Sequence, residues 1–501
     1  MVVSLPVDEQ TRLLSSSYDE EDVSSEPIPA TAEWDGPNDP QNPKNWPASR
    51  KWTCAMLVSA YSIIAPTASS MVVPAMPALT RDLQIESPLV TQLTLSIYVL
   101  GWGMGPLIMG PLSELYGRAP LLHLGQFGFL VFNTLCGFSQ DAHVFLALRF
   151  IGGVFGSGPM SLGAGVLGDL WVSDERGVSL AVYTVMPLLG TTAGPLLGGI
   201  LIQSRPWQDI FFICSIFTLI SLILGLVYLP ETFGPILLYR RRLAQWKERG
   251  YTPPKTMQES QLTRIAKLIR VDLARPFIML GTQPIIQFLA LYMGLLFGLN
   301  HLTISTFHTL WREVYHESYL TSSLNYIAIT AGLLGGAEST GPINDRIYRH
   351  LKKKNNGADC PEYRIYLMIP SAFLVPFGLL WYGWSATYAL HWIMPNIGIL
   401  VYSFGLLMGY QCIQAYVLDC YPVYAASAMG ALTVLRSLAG FTMPVFAPVM
   451  YEKFGYGWSS TGLAGIAGVL GVAAPWVLGV WGKKLRESSP SVLELIRAPN
   501  I

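Results

Sequence analysis

Apolar residues in this chain come in long runs separated by polar connections, and a helix needs roughly twenty apolar residues to cross the hydrocarbon core of a bilayer. Twelve runs of that length can be read, at about 53–74, 89–110, 120–139, 143–167, 179–202 and 208–229, then 277–299, 319–342, 365–385, 392–416, 427–450 and 458–481. The eighth is the most polar, diluted by Ser322, Ser323, Asn325 and Glu338. The pattern predicts an all-α integral membrane protein of twelve transmembrane helices.

The distribution of basic residues predicts the orientation. With the N-terminus in the cytosol, cytosolic segments hold 26 of the 32 Lys and Arg residues, ten of them between Arg240 and Arg275 and six between Arg346 and Arg364. The outer loops hold Arg81, Arg205, Arg312 and Lys453, and only Arg149 and Arg436 fall inside spans. This is the positive-inside asymmetry, and a miscount by one span would invert half the loops and destroy it. Both termini are expected in the cytosol.

The connection after the sixth run divides the chain. Residues 1–51 read as a disordered acidic tail, 52–230 as a first six-helix half, 231–275 as a basic cytosolic linker, 276–482 as a second half and 483–501 as a short tail. Within the linker, Tyr239-Arg240-Arg241-Arg242 and the stretch Arg264–Arg270 read as basic helices on the inner membrane surface.

Composition narrows the class. Only 13% of the 501 residues are charged and 51% are hydrophobic, against about 25% charged in an average soluble protein, so polar surface is too scarce to cover a globule of this size. The net charge of zero gives no basic character to suggest nucleic acid. Cys54, Cys136, Cys214 and Cys412 lie in apolar runs, Cys360 and Cys420 lie in connections, and no C-x-x-C spacing occurs; they read as packing residues, not as a metal or redox site. No metal-ligand cluster, nucleophile elbow or phosphate-cradling loop emerges, so neither an enzyme nor a cofactor is expected. The polar first fifty residues carry no short apolar core of the kind a cleavable signal needs, which leaves targeting to the first span.

The halves share internal markers. Gly110-Pro111-Leu112-Ser113-Glu114 ends the second run and Gly341-Pro342-Ile343-Asn344-Asp345 ends the eighth. Asp169 precedes Gly190 by 21 residues, and Asp419 precedes Gly440 by 21. Matched corners in matching order point to a duplicated six-span unit with a site between the halves near the midplane, a common plan for transporters.

On these residues the chain resembles the major facilitator superfamily. The stretch from Gly110 through Glu114 to Gly117-Arg118 resembles its loop motif between spans 2 and 3, and Leu148-Arg149-Phe150-Ile151-Gly152-Gly153 its span-4 arginine motif. Gly190, Gly194, Pro195, Gly198 and Gly199 resemble the span-5 motif of its antiporters. Asp39-Pro40-Gln41-Asn42-Pro43-Lys44-Asn45-Trp46 and Leu229-Pro230-Glu231-Thr232 resemble fungal members of the twelve-spanner drug:proton antiporter family. The resemblance covers about residues 35 to 485 and implies two pseudo-symmetric six-helix halves, alternating access and export, at the plasma membrane.

The residues carry physical readings of their own. Gly110 and Gly117 permit tight turns where the chain leaves the membrane. Glu114 and Arg118, with Asp345 at the second corner, are a conformational latch or a solvated turn with generic charges. Arg149 is a cavity-facing charge that serves coupling or orients substrate, or it snorkels to the outer face. Arg436 is the second buried cation, with Glu338 or Asp419 as a candidate partner. Gly190 to Gly199 allow close helix packing and Pro195 a kink.

For proton coupling, no acid sits at the centre of any run. Glu338 is the acidic candidate, and His301 and His308, near the outer end of span 7, have suitable ordinary pKa values. Gln92, Gln126, Asn133, Gln287, Tyr292, Asn325, Gln411, Gln414 and Tyr416 are the candidate cavity liners. Amides and aromatics without central charge suit a neutral or amphipathic organic molecule.

The expected activity is proton-coupled efflux of a drug, toxin or secondary metabolite by a monomer, its partners being a small organic substrate, protons and the bilayer. An importer of a small solute such as a polyamine or sugar is the alternative, and a transporter-like receptor a further one. Glu9-Gln10-Thr11-Arg12-Leu13-Leu14 fits an acidic dileucine sorting pattern that would route the protein to a vacuolar or endosomal membrane.

Overall fold

The computed structural model describes residues 34–36, 38–172, 175, 177–248, 273–356, 360–421 and 424–487. The dileucine pattern, the Arg264–Arg270 stretch and most of both tails lie outside them. Among the described residues every regular element is helical. Ten helical segments are long and apolar enough to cross a membrane: Ala48–Asp82, Pro88–Tyr116, Arg118–Phe138, Ala142–Leu170, Gly177–Leu201, Gln208–Tyr228, Pro284–Glu313, Pro361–Thr387, Ile393–Cys420 and Ala425–Arg486. The last breaks at Gly455, whose φ of 69° cannot continue a right-handed helix, and so supplies two spans. Tyr326–Lys354, a 29-residue helix, is the remaining one; Glu338, Asn344, Asp345 and its terminal lysines keep it out of the apolar set. Together they make twelve spans, numbered in chain order.

Spans 2, 7 and 8 differ from the hydrophobic reading at their ends, and span 8 starts at Tyr326, behind a separate short helix Tyr319–Leu324. Span 2 runs on past Gly110 to Tyr116, and span 8 past Gly341 to Lys354. Gly110 and Gly341 are therefore helical, and the turn out of span 2 is made at Gly117, with φ of 101°. Span 7 begins at Pro284, after a separate helix Ala274–Thr282, and continues to Glu313. Its last turns lie beyond the hydrophobic run, which stops near residue 299, and they carry Thr303, Ser305 and Thr306. Each is buried, and Ser305 and Thr306 donate back to the carbonyl of Leu302, which satisfies the hydroxyls without water.

An even number of crossings leaves the start of span 1 and the end of span 12 on one face, here called the terminal face. One cluster of buried apolar residues extends from Met279 to Leu478, while two others lie between Trp46 and Leu229. Each half thus has its own interior. Span 6 shows how the outer surface forms: Ile216, Ile220, Ile223 and Val227, spaced four, three and four apart, are exposed along one stripe. An apolar stripe left open at helical period is a lipid face. The opposite side of span 6 is pinned to span 3, where Asn133 donates to the carbonyl of Phe211 and to Ser215 Oγ, both at 2.9 Å. Between halves, span 2 packs along span 11 and span 5 along span 8.

Candidate functional site

At the centre of the molecule the halves enclose a cavity of about 170 Å³. Spans 1, 2, 4 and 5 contribute residues such as Ser69, Leu95, Tyr98, Trp102, Met160 and Thr191. Spans 7, 8, 10 and 11 contribute Phe297, Asn300, His301, Leu333, Tyr410 and Arg436. Helical pitch aims these side chains together. Phe297, Asn300, His301, Ile304 and Ser305 follow the i, i+3, i+4, i+7, i+8 pattern of one helix face, as do Leu95, Tyr98, Val99 and Trp102. That periodicity was the signal for the lining, and it was available in the sequence.

The nine expected liners stand elsewhere. Gln126 reaches toward the carbonyl of Tyr61, and Asn133 joins spans 3 and 6. Tyr292 and Tyr416 are buried within the second half, against span 12 at Gly471 and Gly482. Gln287 is exposed and bonds to the carbonyl of Gly281. Asn325 is held between Glu317 and Asn396 at the face opposite the termini. Gln92, Gln411 and Gln414 sit half-buried on spans 2 and 10, outside the lining. An amide in a bilayer finds a polar partner on a neighbouring helix, and Gln126, Asn133 and Asn325 act in this way as joints between helices.

The two intramembrane arginines differ. Arg149 is 1% exposed and stands behind the cavity wall. It donates from Nε to the carbonyl of Thr94 in span 2 and from Nη1 to that of Ala68 in span 1, each at 3.3 Å, and packs over the ring of Tyr98 at 4.5 Å. It does not snorkel; the fork binds three spans together. Arg436 lines the cavity itself, over the Phe297 ring at 4.8 Å, with Nη1 donating to the Tyr410 hydroxyl. Its expected acidic partners are engaged or averted. Asp419 pairs with Arg364. Glu338 is exposed, 11 residues (338 − 327) and hence about three turns from exposed Ile327. That stripe lies about 140° around the helix from Leu333, the cavity-lining residue of span 8. Of the histidines, His301 lies mid-span and lines the cavity, whereas His308 is buried outside it and stacks on Tyr319.

At the terminal face each half carries a charge clamp. Arg118, first residue of span 3, pairs with Asp169 at the end of span 4 at 2.5 Å. Glu231 closes the Gly117 turn by accepting from the backbone N–H groups of Arg118, Thr232 and Phe233. In the second half Arg364, in the 3-10 turn that opens span 9, bridges Asp345 at 2.5 Å and Asp419 at 2.8 Å. The two aspartates matched by spacing are thus matched by role, each holding an arginine from the preceding odd-numbered span. Nearby, Arg241 pairs with both Asp35 and Asp39. Its helix, Gly234–Glu248, carries the Arg240–Arg242 run.

The span-5 glycines divide between two seams. Gly190, Gly194 and Gly198, four apart, face span 1 within the first half; a Cβ at Gly190 would come 2.7 Å from the carbonyl of Ile63 and one at Gly194 2.6 Å from that of Thr67. Gly199 faces the other half, where a Cβ would lie 2.9 Å from the carbonyl of Tyr319 and closer still to Ser323 Oγ. Pro195 is buried inside the helix. Most of the motif therefore packs one half, and Gly199 alone among these glycines reaches across the interface, to the short helix Tyr319–Leu324 that precedes span 8.

Twelve membrane helices in two halves, closed around a central cavity that both line, define a membrane transporter rather than an enzyme. The chain belongs to the Major Facilitator Superfamily, whose sequence profile matches residues 58–444. It is 48% identical to the MFS-type transporter oryF of Aspergillus oryzae, covering 98% of this chain and 99% of that one. It is 41% identical to the efflux pump vrtL of Penicillium aethiopicum, covering 93% and 94%. Among solved structures it shares the fold of the xylose transporter XylE from E. coli in a partially occluded inward-open state, with TM-score 0.64 and 14% identity over 86% of this chain and 98% of that one.

Proposed function

We propose that the protein exports a small organic molecule from the cytosol across the plasma membrane, acting as a monomer and exchanging it for protons by alternating access. The observation that carries this is the central cavity lined by both halves: rocking the halves about a midplane site exposes the occupant to one face and then the other. The name of the vrtL relative supports the outward direction. The excess of Lys and Arg on the connections of the terminal face supports a cytosolic location for both termini.

For the proton, His301 is the better candidate than Glu338. It lines the cavity, so opening to either face changes its hydration and with it its hold on a proton. Everted vesicles carrying the transporter test the whole reading. Candidate compounds should accumulate inside under an inward-acid gradient, and a protonophore should abolish the accumulation. Transport in the opposite direction in these vesicles would make the protein an importer, and accumulation indifferent to the protonophore would remove the proton from the mechanism. His301→Gln is expected to leave equilibrative movement while losing the gradient response.

A further inference from the structure

We infer that the transported molecule is an organic anion, an apolar body bearing one carboxylate or similarly acidic group, held with its charge against Arg436 and Trp102. This rests on the central cavity being the substrate site and goes beyond it by fixing the charge of the occupant.

Arg436 is the reason. Its side chain is 7% exposed, it lines the cavity, and its Nε is buried without a partner. Tyr410, the group it does touch through Nη1, is a neutral phenol. Neither Asp nor Glu is present among the lining residues. A guanidinium stays charged in any protein environment, and a buried cation with no counter-ion is strongly disfavoured until an anion answers it. Phe297 eases the burial by offering its ring face to the guanidinium, but it leaves the in-plane donors of the fork unanswered.

A second observation lies across the interface. Trp102, also lining the cavity, has its indole Nε1 buried without a partner. Span 2 meets span 11 at Gly103, where a Cβ would collide with Ser437. Trp102 and Arg436 each precede one member of that contact, so they stand on the two sides of one seam. Both unanswered nitrogens can only donate. An acceptor-rich, negatively charged group satisfies both at once, and it does so by bridging the two halves, which is where a transporter gains from binding its cargo. The rest of the lining, with Leu95, Val99, Ile304, Leu333 and Leu406, takes an apolar body. Of the neutral or amphipathic molecules that the amides of the sequence suggest, a neutral one leaves Arg436 unanswered.

The test uses the purified full-length chain in lipid nanodiscs and matched probes, octanoate with octanamide and cinnamate with cinnamamide, measured by equilibrium dialysis. The carboxylates should bind at least tenfold more tightly than their amides. Arg436→Gln should bring that ratio to within about twofold, Arg436→Lys should retain part of it, and Trp102→Phe, which keeps a ring in place, should weaken the carboxylates about threefold. Amides that bind as tightly as the acids, a ratio that survives in Arg436→Gln, or no carboxylate binding up to the solubility limit each overturn the inference. If Arg436→Gln does not fold, Trp102→Phe carries the decision alone, unchanged carboxylate affinity counting against. The direction of octanoate movement in everted vesicles is scored separately: Arg436-dependent movement out of the lumen would refute export and leave the anion assignment standing, whereas accumulation of octanamide but not octanoate would do the reverse.

Discussion

Gly199 is the point where a side chain would act on conformation and not on folding. In Gly199→Leu, the Cβ alone would lie 2.9 Å from the backbone carbonyl of Tyr319 and 3.0 Å from Ser323 Cβ, and Ser323 is fully buried. The Ser323 hydroxyl can rotate aside, but the Tyr319 carbonyl is fixed by the helix Tyr319–Leu324, so that helix and span 5 must separate. Forcing atoms into a packed contact costs about 1–3 kcal/mol. Only the state with the seam closed at the face opposite the termini bears that cost, so its population relative to the opened state should fall by about 5- to 150-fold. Spin labels at exposed Gln203 and Glu313, one on each half at that face, report the separation by pulsed electron resonance. The parent should show a dominant short distance and Gly199→Leu a dominant long one. Gly194→Leu is the control, since its Cβ meets the carbonyl of Thr67 on span 1 within the same half; it should lower the melting temperature without moving the distance. An unchanged distance in Gly199→Leu, or an equal change in Gly194→Leu, would show that the two seams are not mechanically distinct.

Three further outcomes follow from the terminal face and the first half. In the second-half clamp, Asp419→Asn should destabilise by about 1–2 kcal/mol and Asp345→Asn by less, because the Asp345 side chain is 58% exposed against 32% for Asp419; melting in detergent micelles compares them. The Asp39 carboxyl is held below its usual range by N–H groups of Asp35 and Gln41 and by Arg241. A carboxyl so depressed contributes its full stabilisation above its unfolded pKa of about 3.9 and loses it as pH falls through the lower folded value. The segment around Asp39 should therefore resist proteolysis at neutral pH and yield only in the acidic window below about pH 4, and Asp39→Asn should abolish that pH dependence. Asn133→Leu should cost about 0.6–1.7 kcal/mol of stability, with Ser215→Ala costing less because the Phe211 carbonyl remains to accept from Asn133; thermal melts read the difference.

Much of the fold was legible because bilayer crossing is a one-dimensional constraint. Length and apolarity marked the spans, and the Gly110 and Gly341 stretches marked the repeat, although both glycines proved helical. What failed was judging polar residues near span ends. The hydrophobic reading ends span 7 near residue 299, yet Ser305, Thr306 and His308 lie within the same helix, where the carbonyl of Leu302 takes up both hydroxyls. The error moved span 7 and hid His301 from the cavity. The amide liners failed for a related reason, since an amide's chemistry does not say whether it meets a ligand or a neighbouring helix, and here Asn133 meets span 6 and Asn325 meets Asn396.

The sequence by itself determined that this chain crosses a membrane twelve times in two related halves, because hydrophobic length, loop charge and repeated motifs are properties read along one dimension. It also singled out Arg149 and Arg436 as costly intramembrane charges. Only the tertiary structure decided that Arg149 is a brace between spans 1, 2 and 4 while Arg436 faces the cavity. The same holds for Asp419, which belongs to Arg364 and not to Arg436, and for Gly199, which alone of the span-5 glycines looks across the interface. Which of two buried arginines faces the cavity depends on the rotation of each helix about its axis, and that rotation is set by packing against neighbours far along the chain.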